Sequence, residues 1–188
     1  GIAGNEFNYN SYLKDSRGEF FFGGYHGITS FFPGNIETNS YVAPVVFTGL
    51  RLFSNAVAIN GDDGLLRQNI NQTKRIVFTH KQNVFSIEFA LLNFIKSNKN
   101  KYAYKLEGFD KNWNEVSTAS ATYTNLPSGT YTFLVKGANN DGVWSAPASI
   151  ELKILPPFWL TWWAYCLYVL LFAAILFLII RFFFLREL

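Results

Sequence analysis

After Pro156-Pro157 the chain runs from Phe158 to Ile180 without a glycine, a proline or a charged residue. As a helix rising about 1.5 Å per residue that stretch reaches roughly 34 Å, enough to cross a hydrocarbon layer of about 30 Å. A helix buried in a water-soluble protein usually keeps a polar stripe, and this one is apolar all round, which fits lipid on every side. Trp159, Trp162, Trp163, Tyr165 and Tyr168 crowd its first half, where amphipathic rings favour a headgroup boundary. Pro156 and Pro157 stand where a helix start tolerates missing N–H groups. Arg181 and Arg186 follow the stretch and only Lys153 closely precedes it. The positive-inside bias therefore predicts a cytoplasmic C-terminus and an outer N-terminal part. The expected layout is a transmembrane helix over 156–181, the start of a cytoplasmic region over 182–188, and residues 1–155 outside.

Composition narrows the remainder. Of 188 residues 49% are hydrophobic and 19% aromatic, which excludes a disordered or collagen-like chain. A net charge of +3, scattered along the chain, gives no basic stripe and excludes direct nucleic-acid contact by these residues. The single cysteine, Cys166, sits in the apolar stretch and allows no intrachain disulfide. His26 and His80 are the only histidines and lie far apart, so a zinc site or His-based dyad has little material. No cofactor or metal is expected. The absence of methionine and the start Gly1-Ile2-Ala3-Gly4, unlike a signal peptide, read as a portion of a longer protein.

Residues 1–40 contain two short aromatic runs, Phe20-Phe21-Phe22 and Ile28 to Phe32, separated by Gly23-Gly24-Tyr25-His26-Gly27. Glycines at that spacing predict a hairpin, and a lone hairpin must pack on something else. From Pro44 onward short β-prone runs recur: Val45 to Phe47, Ile76 to Phe78, Val84 to Leu92, Lys101 to Phe109, Ala121 to Thr124, Thr130 to Lys136 and Ala148 to Leu155. Their period is two, which puts Phe85, Ile87 and Phe89 on one face, Tyr102, Tyr104 and Leu106 on another, and Tyr131, Phe133 and Val135 on a third. No amphipathic helix lies between them, so the fold class is all-β: an antiparallel sandwich over 41–155 of the immunoglobulin or fibronectin kind. Asn55 to Asn71, with Gly61-Asp62-Asp63-Gly64, reads as a loop or irregular edge. Leu126-Pro127-Ser128-Gly129-Thr130-Tyr131 places a tyrosine just after a turn at a strand start, matching a tyrosine corner. The Asp141-Gly142 pair predicts a primed hairpin turn before the last strand.

Three segments carry a resemblance. Tyr102-x-Tyr104-x-Leu106-Glu107-Gly108-Phe109-Asp110-x-x-Trp113, then Tyr123-Thr124-Asn125-Leu126-Pro127-x-Gly129-x-Tyr131, then Asn139-x-Asp141-Gly142-x-Trp144, are similar to the triple-tyrosine (Y_Y_Y) domain. Gly18 to Pro33 resembles the closing blade of a two-component-regulator β-propeller, and Pro156-Pro157-Phe158-Trp159-x-Thr161 resembles that family's junction into a membrane helix. The resemblance implies the outer sensor of a hybrid two-component histidine kinase from a Gram-negative glycan degrader. On that reading 1–40 closes a propeller, residues 1–155 are periplasmic, and one helix crosses the inner membrane. It further implies a homodimer through sandwich and helix, and an oligosaccharide ligand bound at a propeller of which only one partial blade stands here.

Asp62 and Asp63, flanked by glycines, read as a solvated turn rather than a carboxylate pair. Glu107 and Asp110 could only serve a glycosidase at a fixed separation, and the resemblance makes Gly108-Phe109-Asp110 a strand-ending turn. Phosphate-binding and nucleophile-elbow motifs are absent, so no catalytic residue is expected. Trp113, Trp144, Tyr102, Tyr104 and Tyr123 could stack sugars but are ordinary core material for a small sandwich. His80-Lys81-Gln82 reads as an exposed turn. The leading expectation is a signal relay, with Tyr102, Tyr104, Gly108, Asp110, Trp113, Tyr123, Gly129, Tyr131 and Trp144 building the sandwich. Pro156, Pro157, Phe158 and Trp159 then form a stiff joint to the membrane. A membrane-tethered carbohydrate-binding or adhesion module is the alternative, and an anchored hydrolase a third.

Overall fold

The structure is a computed structural model that describes residues 6–186. The chain divides into two compact units between Ser40 and Tyr41. The first holds a three-stranded antiparallel sheet of β1 (Tyr12–Lys14), β2 (Phe20–Gly24) and β3 (Gly27–Phe31). Gly24 pairs with Gly27 across the two-residue turn Tyr25-His26, and Gly27 has φ of +115°, a region open to glycine because it lacks Cβ. Phe20, Phe22 and Phe31 stack on one face, with centroids 5.9 to 6.3 Å apart, and remain half-buried.

The second unit is a sandwich followed by a helix. Its strands are β4 (Val45–Leu52), β5 (Asn55–Ala56), β6 (Arg75–Phe78), β7 (Val84–Leu91), β8 (Lys101–Glu107), β9 (Asn114–Val116), β10 (Ser120–Thr124), β11 (Gly129–Ala138) and β12 (Ala148–Ile154). One sheet has four strands in the order β10-β7-β4-β5, the other five in the order β6-β12-β11-β8-β9. All sandwich pairs are antiparallel except β6 with β12.

Alternation explains the core. Phe85, Ile87, Phe89 and Leu91 on β7 face Phe133 and Val135 on β11 and Ile150 and Leu152 on β12, and all are buried. Fully burying a side chain of this size stabilises by about 1.5–3 kcal/mol against leaving it exposed. In β4 the register shifts between Phe47 and Gly49, and this bulge lets both Phe47 and Leu50 point inward although their spacing breaks the period of two.

Several elements differ from expectation. β1, β5 and β9 are short strands that carry too few residues to show a period. The polar segment Asn55 to Asn71 is irregular, as expected, yet sends Leu65, Leu66 and Ile70 into the core. The turn before β12 is not primed. Gly142 alone takes a positive φ (85°), while Asn139 Oδ1 accepts from the amides of Asp141 and Val143, both at 3.0 Å. The helix α1 (Trp162–Arg186) begins at Trp162 rather than Pro156, because Phe158–Leu160 form a 3-10 turn first. Its stretch Trp162–Phe183 has 22 residues, about 33 Å of helix, and includes an 18-residue window of mean hydropathy 2.7 with no share buried in protein.

Candidate functional site

The passage from β12 to α1 is hydrogen-bonded on either side of its two prolines. Leu155 N donates to Phe78 O at 2.9 Å, which extends the sheet ladder past the strand's end. Pro156 and Pro157 follow, neither with an N–H to leave unsatisfied, and Pro157 sits at φ −62°, near the value its ring imposes. Leu160 N then donates to Pro157 O (3.0 Å), and the Thr161 amide and hydroxyl both donate to Phe158 O. Thr161 O accepts from Ala164 N (3.0 Å) and Tyr165 N (3.2 Å), which starts the helix.

Trp159 is held from both sides. Its ring meets His80 edge-on at 5.3 Å, and its carbonyl accepts from Tyr168 Oη on α1 at 3.3 Å. His80 does lie on a turn, but it is half-buried against the joint and not exposed as its sequence predicts. The β6–β7 turn that carries it is braced: Gln82 Oε1 accepts from Thr79 N at 2.9 Å and Gln82 Nε2 donates to Asp63 O at 3.2 Å. Asn83 and Asn125 tie this turn to the β10–β11 turn through a side-chain bond of 2.6 Å and a backbone bond of 2.7 Å. Between these turns and the joint lies a cleft of about 400 Å³, lined by Asn83, Phe85, Leu126, Leu155, Pro157 and Leu160 among others.

The motif tyrosines lie in or beside the core, and three hydroxyls have protein partners. Tyr102 Oη accepts from Leu91 N (3.3 Å), Tyr123 Oη donates to Asp110 Oδ2 (2.7 Å) and Tyr131 Oη donates to Pro127 O (3.0 Å), the geometry of a tyrosine corner. Asp110 Oδ2 also accepts from Leu106 N at 2.8 Å, so one carboxylate oxygen closes the end of β8 and anchors β10. Gly108 makes that closure possible with φ of +91°, and a Cβ there would come within 3.2 Å of the Tyr131 ring. At Gly129 an added Cβ would find ordinary contact with Tyr131, 3.5 Å from its hydroxyl. Burial, then the Asp110 charge, pushes the Tyr123 phenol far above its ordinary range, and the same causes raise Tyr104. Tyr104 packs edge-on against Tyr123 at 6.1 Å.

Trp113 and Trp144 depart from the core role expected of them. They flank Lys136 Nζ at 4.5 and 5.0 Å, and Trp144 is 37% exposed. The two rings clamp an ammonium on the outer side of β11, an arrangement whose signal is the alternation itself: Lys136 falls between Val135 and Gly137. Glu107 is exposed, and Asp63 Oδ1 caps the amide of Leu65 at 3.0 Å.

Residues 93–155 match the Y_Y_Y domain. Histidine kinase P4 of Formosa agariphila is 40% identical over 183 residues, which is 97% of this chain and 13% of that protein. The extracellular domain of the hybrid two component system BT3049 from B. thetaiotaomicron is 30% identical with a TM-score of 0.64, over 82% of this chain and 21% of that one. The corresponding domain of BT4673 from the same organism is 31% identical with a TM-score of 0.57, over 78% and 20%. The chain thus spans about a fifth or less of the relatives it matches. Among the described residues one helix is long and apolar enough to cross a membrane, and it follows a sandwich whose solved relatives are extracellular domains. Residues 93–155 thus match the Y_Y_Y domain, and the chain as a whole resembles part of a histidine kinase and of the extracellular domains of hybrid two component systems.

Proposed function

We propose that this chain is the relay of a dimeric sensor kinase: it passes a change in an outer, ligand-binding propeller into one membrane helix per protomer and so to a cytoplasmic phosphorelay that controls transcription. On this reading residues 1–40 are the end of the propeller, 41–155 the relay sandwich, and Arg181 and Arg186 mark the cytoplasmic side. The ligand class is an oligosaccharide bound by the propeller, and the sandwich and helix form the homodimer contact.

The observation that carries the proposal is the joint. From Leu155 N on Phe78 O to Thr161 O capping α1, sheet and helix are joined through two prolines and a hydrogen-bonded 3-10 turn, and Trp159 touches both the β6–β7 turn and α1. A shift of one sandwich against its partner would therefore tilt, turn or slide the helices, the rigid-body coupling that transmembrane switching needs. A sugar-binding role for the sandwich itself draws less support, because both partly exposed tryptophans of the motif are engaged on Lys136. The test is insertion of a short Gly/Ser segment after Leu155 in the full-length receptor, with output read by a transcriptional reporter and folding by protease resistance of the sandwich. Loss of ligand response with the sandwich intact is expected. An unaltered response would overturn the relay.

A further inference from the structure

The end of the sandwich from which α1 departs carries two apolar tips besides the joint. β4 and β5 meet in the two-residue turn Phe53-Ser54, closed by Leu52 paired with Asn55. Both turn residues have positive φ, 48° and 69°, a geometry that favours Asn-Gly and disfavours a bulky ring. Burial does not offset the strain, since Phe53 is 49% exposed. Phe109 is set out in a similar way: it follows left-handed Gly108, leans edge-on against Tyr123 at 6.2 Å and is 51% exposed.

Register places these tips level with the joint. Phe53 N donates to Val84 O at 3.0 Å, and Tyr123, on which Phe109 leans, pairs with Phe85. Phe85 and Asn83 line the cleft beneath Pro157 and Leu160. All three points thus fall within one or two residues along the strands, roughly 3–7 Å. They stand apart across the sandwich, Phe53 at the β5 edge of one sheet and Phe109 near the β9 edge of the other. Exposed Lys81 and Lys111 sit on the turns of the same end.

We propose that Phe53 and Phe109 are membrane-contact tips that seat in the headgroup layer of the bilayer crossed by α1, with Lys81 and Lys111 over anionic lipid phosphates. A lipid surface is the occupant because the exposed tips stand at the end of the sandwich from which the apolar helix departs and because apolar rings beside lysines match a headgroup layer. The sandwich then stands on the membrane at three points, which fixes its tilt as well as its attachment.

The test uses the whole chain with Cys166→Ala, reconstituted in nanodiscs of phosphatidylcholine with a minority of phosphatidylglycerol. Single nitroxides are placed by Ser54→Cys beside Phe53, Asn112→Cys beside Phe109, Ser97→Cys at the opposite end, and Leu170→Cys in α1. Labels at 54 and 112 are expected to show several-fold lower access to an aqueous nickel chelate than the label at 97, with raised access to oxygen. Adding Phe53→Ser and Phe109→Ser should return both labels to water. High nickel access at 54 and 112 in the parent chain would overturn the proposal, as would low access to both reagents, the mark of burial against a second copy. Retained depth in the double-serine chain would also overturn it. The label at 170 reports the span separately, so tips in water with α1 in lipid reject only the tips.

Discussion

Asp110 uses a single carboxylate oxygen to hold Leu106 N and Tyr123 Oη, and so joins the two sheets at the end nearest the membrane. Replacing it by alanine leaves a buried phenol and an amide without that acceptor, and we expect a loss of about 1–3 kcal/mol in urea denaturation. Tyr131→Phe, which removes only the bond to Pro127 O, should cost about 1 kcal/mol. Tyr123 also sets a pH dependence. Its folded-state pKa lies above the ordinary value of 10.0, so the neutral phenol's contribution is complete below pH 10 and declines as pH rises past it. The chain should therefore lose stability faster between about pH 10 and 11 than the Tyr123→Phe variant, as read by denaturation midpoints. Equal slopes would show that Tyr123 is not shifted in this way.

Among elements, the strands whose period of two spans several residues were plain in the sequence: β7, β11 and β12 bury alternate positions over most of their length, whereas β8 buries Ala103 beside Tyr102, and the tyrosine corner and the apolar helix follow from local patterns. What stayed hidden has physical causes. β9 exists because β8 offers it three backbone partners, and a strand of that length has no pattern of its own. Leu65, Leu66 and Ile70 enter the core from a segment whose polar residues dominate its composition. The late start of α1 depends on a 3-10 turn and the Thr161 cap, both of which sit inside a uniformly apolar run. The His80 to Trp159 contact links residues distant in sequence, and no periodicity announces such a pair. Close approach of the sheets is tested at Gly137, where a Cβ would lie 2.8 Å from Leu91 Cδ1 and 3.0 Å from Val45 Cγ2. Gly137→Val should destabilise by about 1–3 kcal/mol, because these neighbours are packed core side chains with little room to move.

At the scale of the whole molecule the proposed relay requires the sandwich and the membrane helix to move as one body. His80→Ala removes one of the two grips on Trp159 and should weaken signalling without unfolding the sandwich, a partial form of the Gly/Ser insertion. The most direct measurement is the distance distribution between spin labels at Thr122 on β10 and Val169 on α1, both exposed, in the membrane-reconstituted chain with Cys166→Ala. A rigid joint predicts a single narrow distribution, no wider than that between labels at Thr48 and Thr122 within the sandwich, and broadening on insertion after Leu155. A distribution in the native joint as broad as in the inserted variant would contradict it.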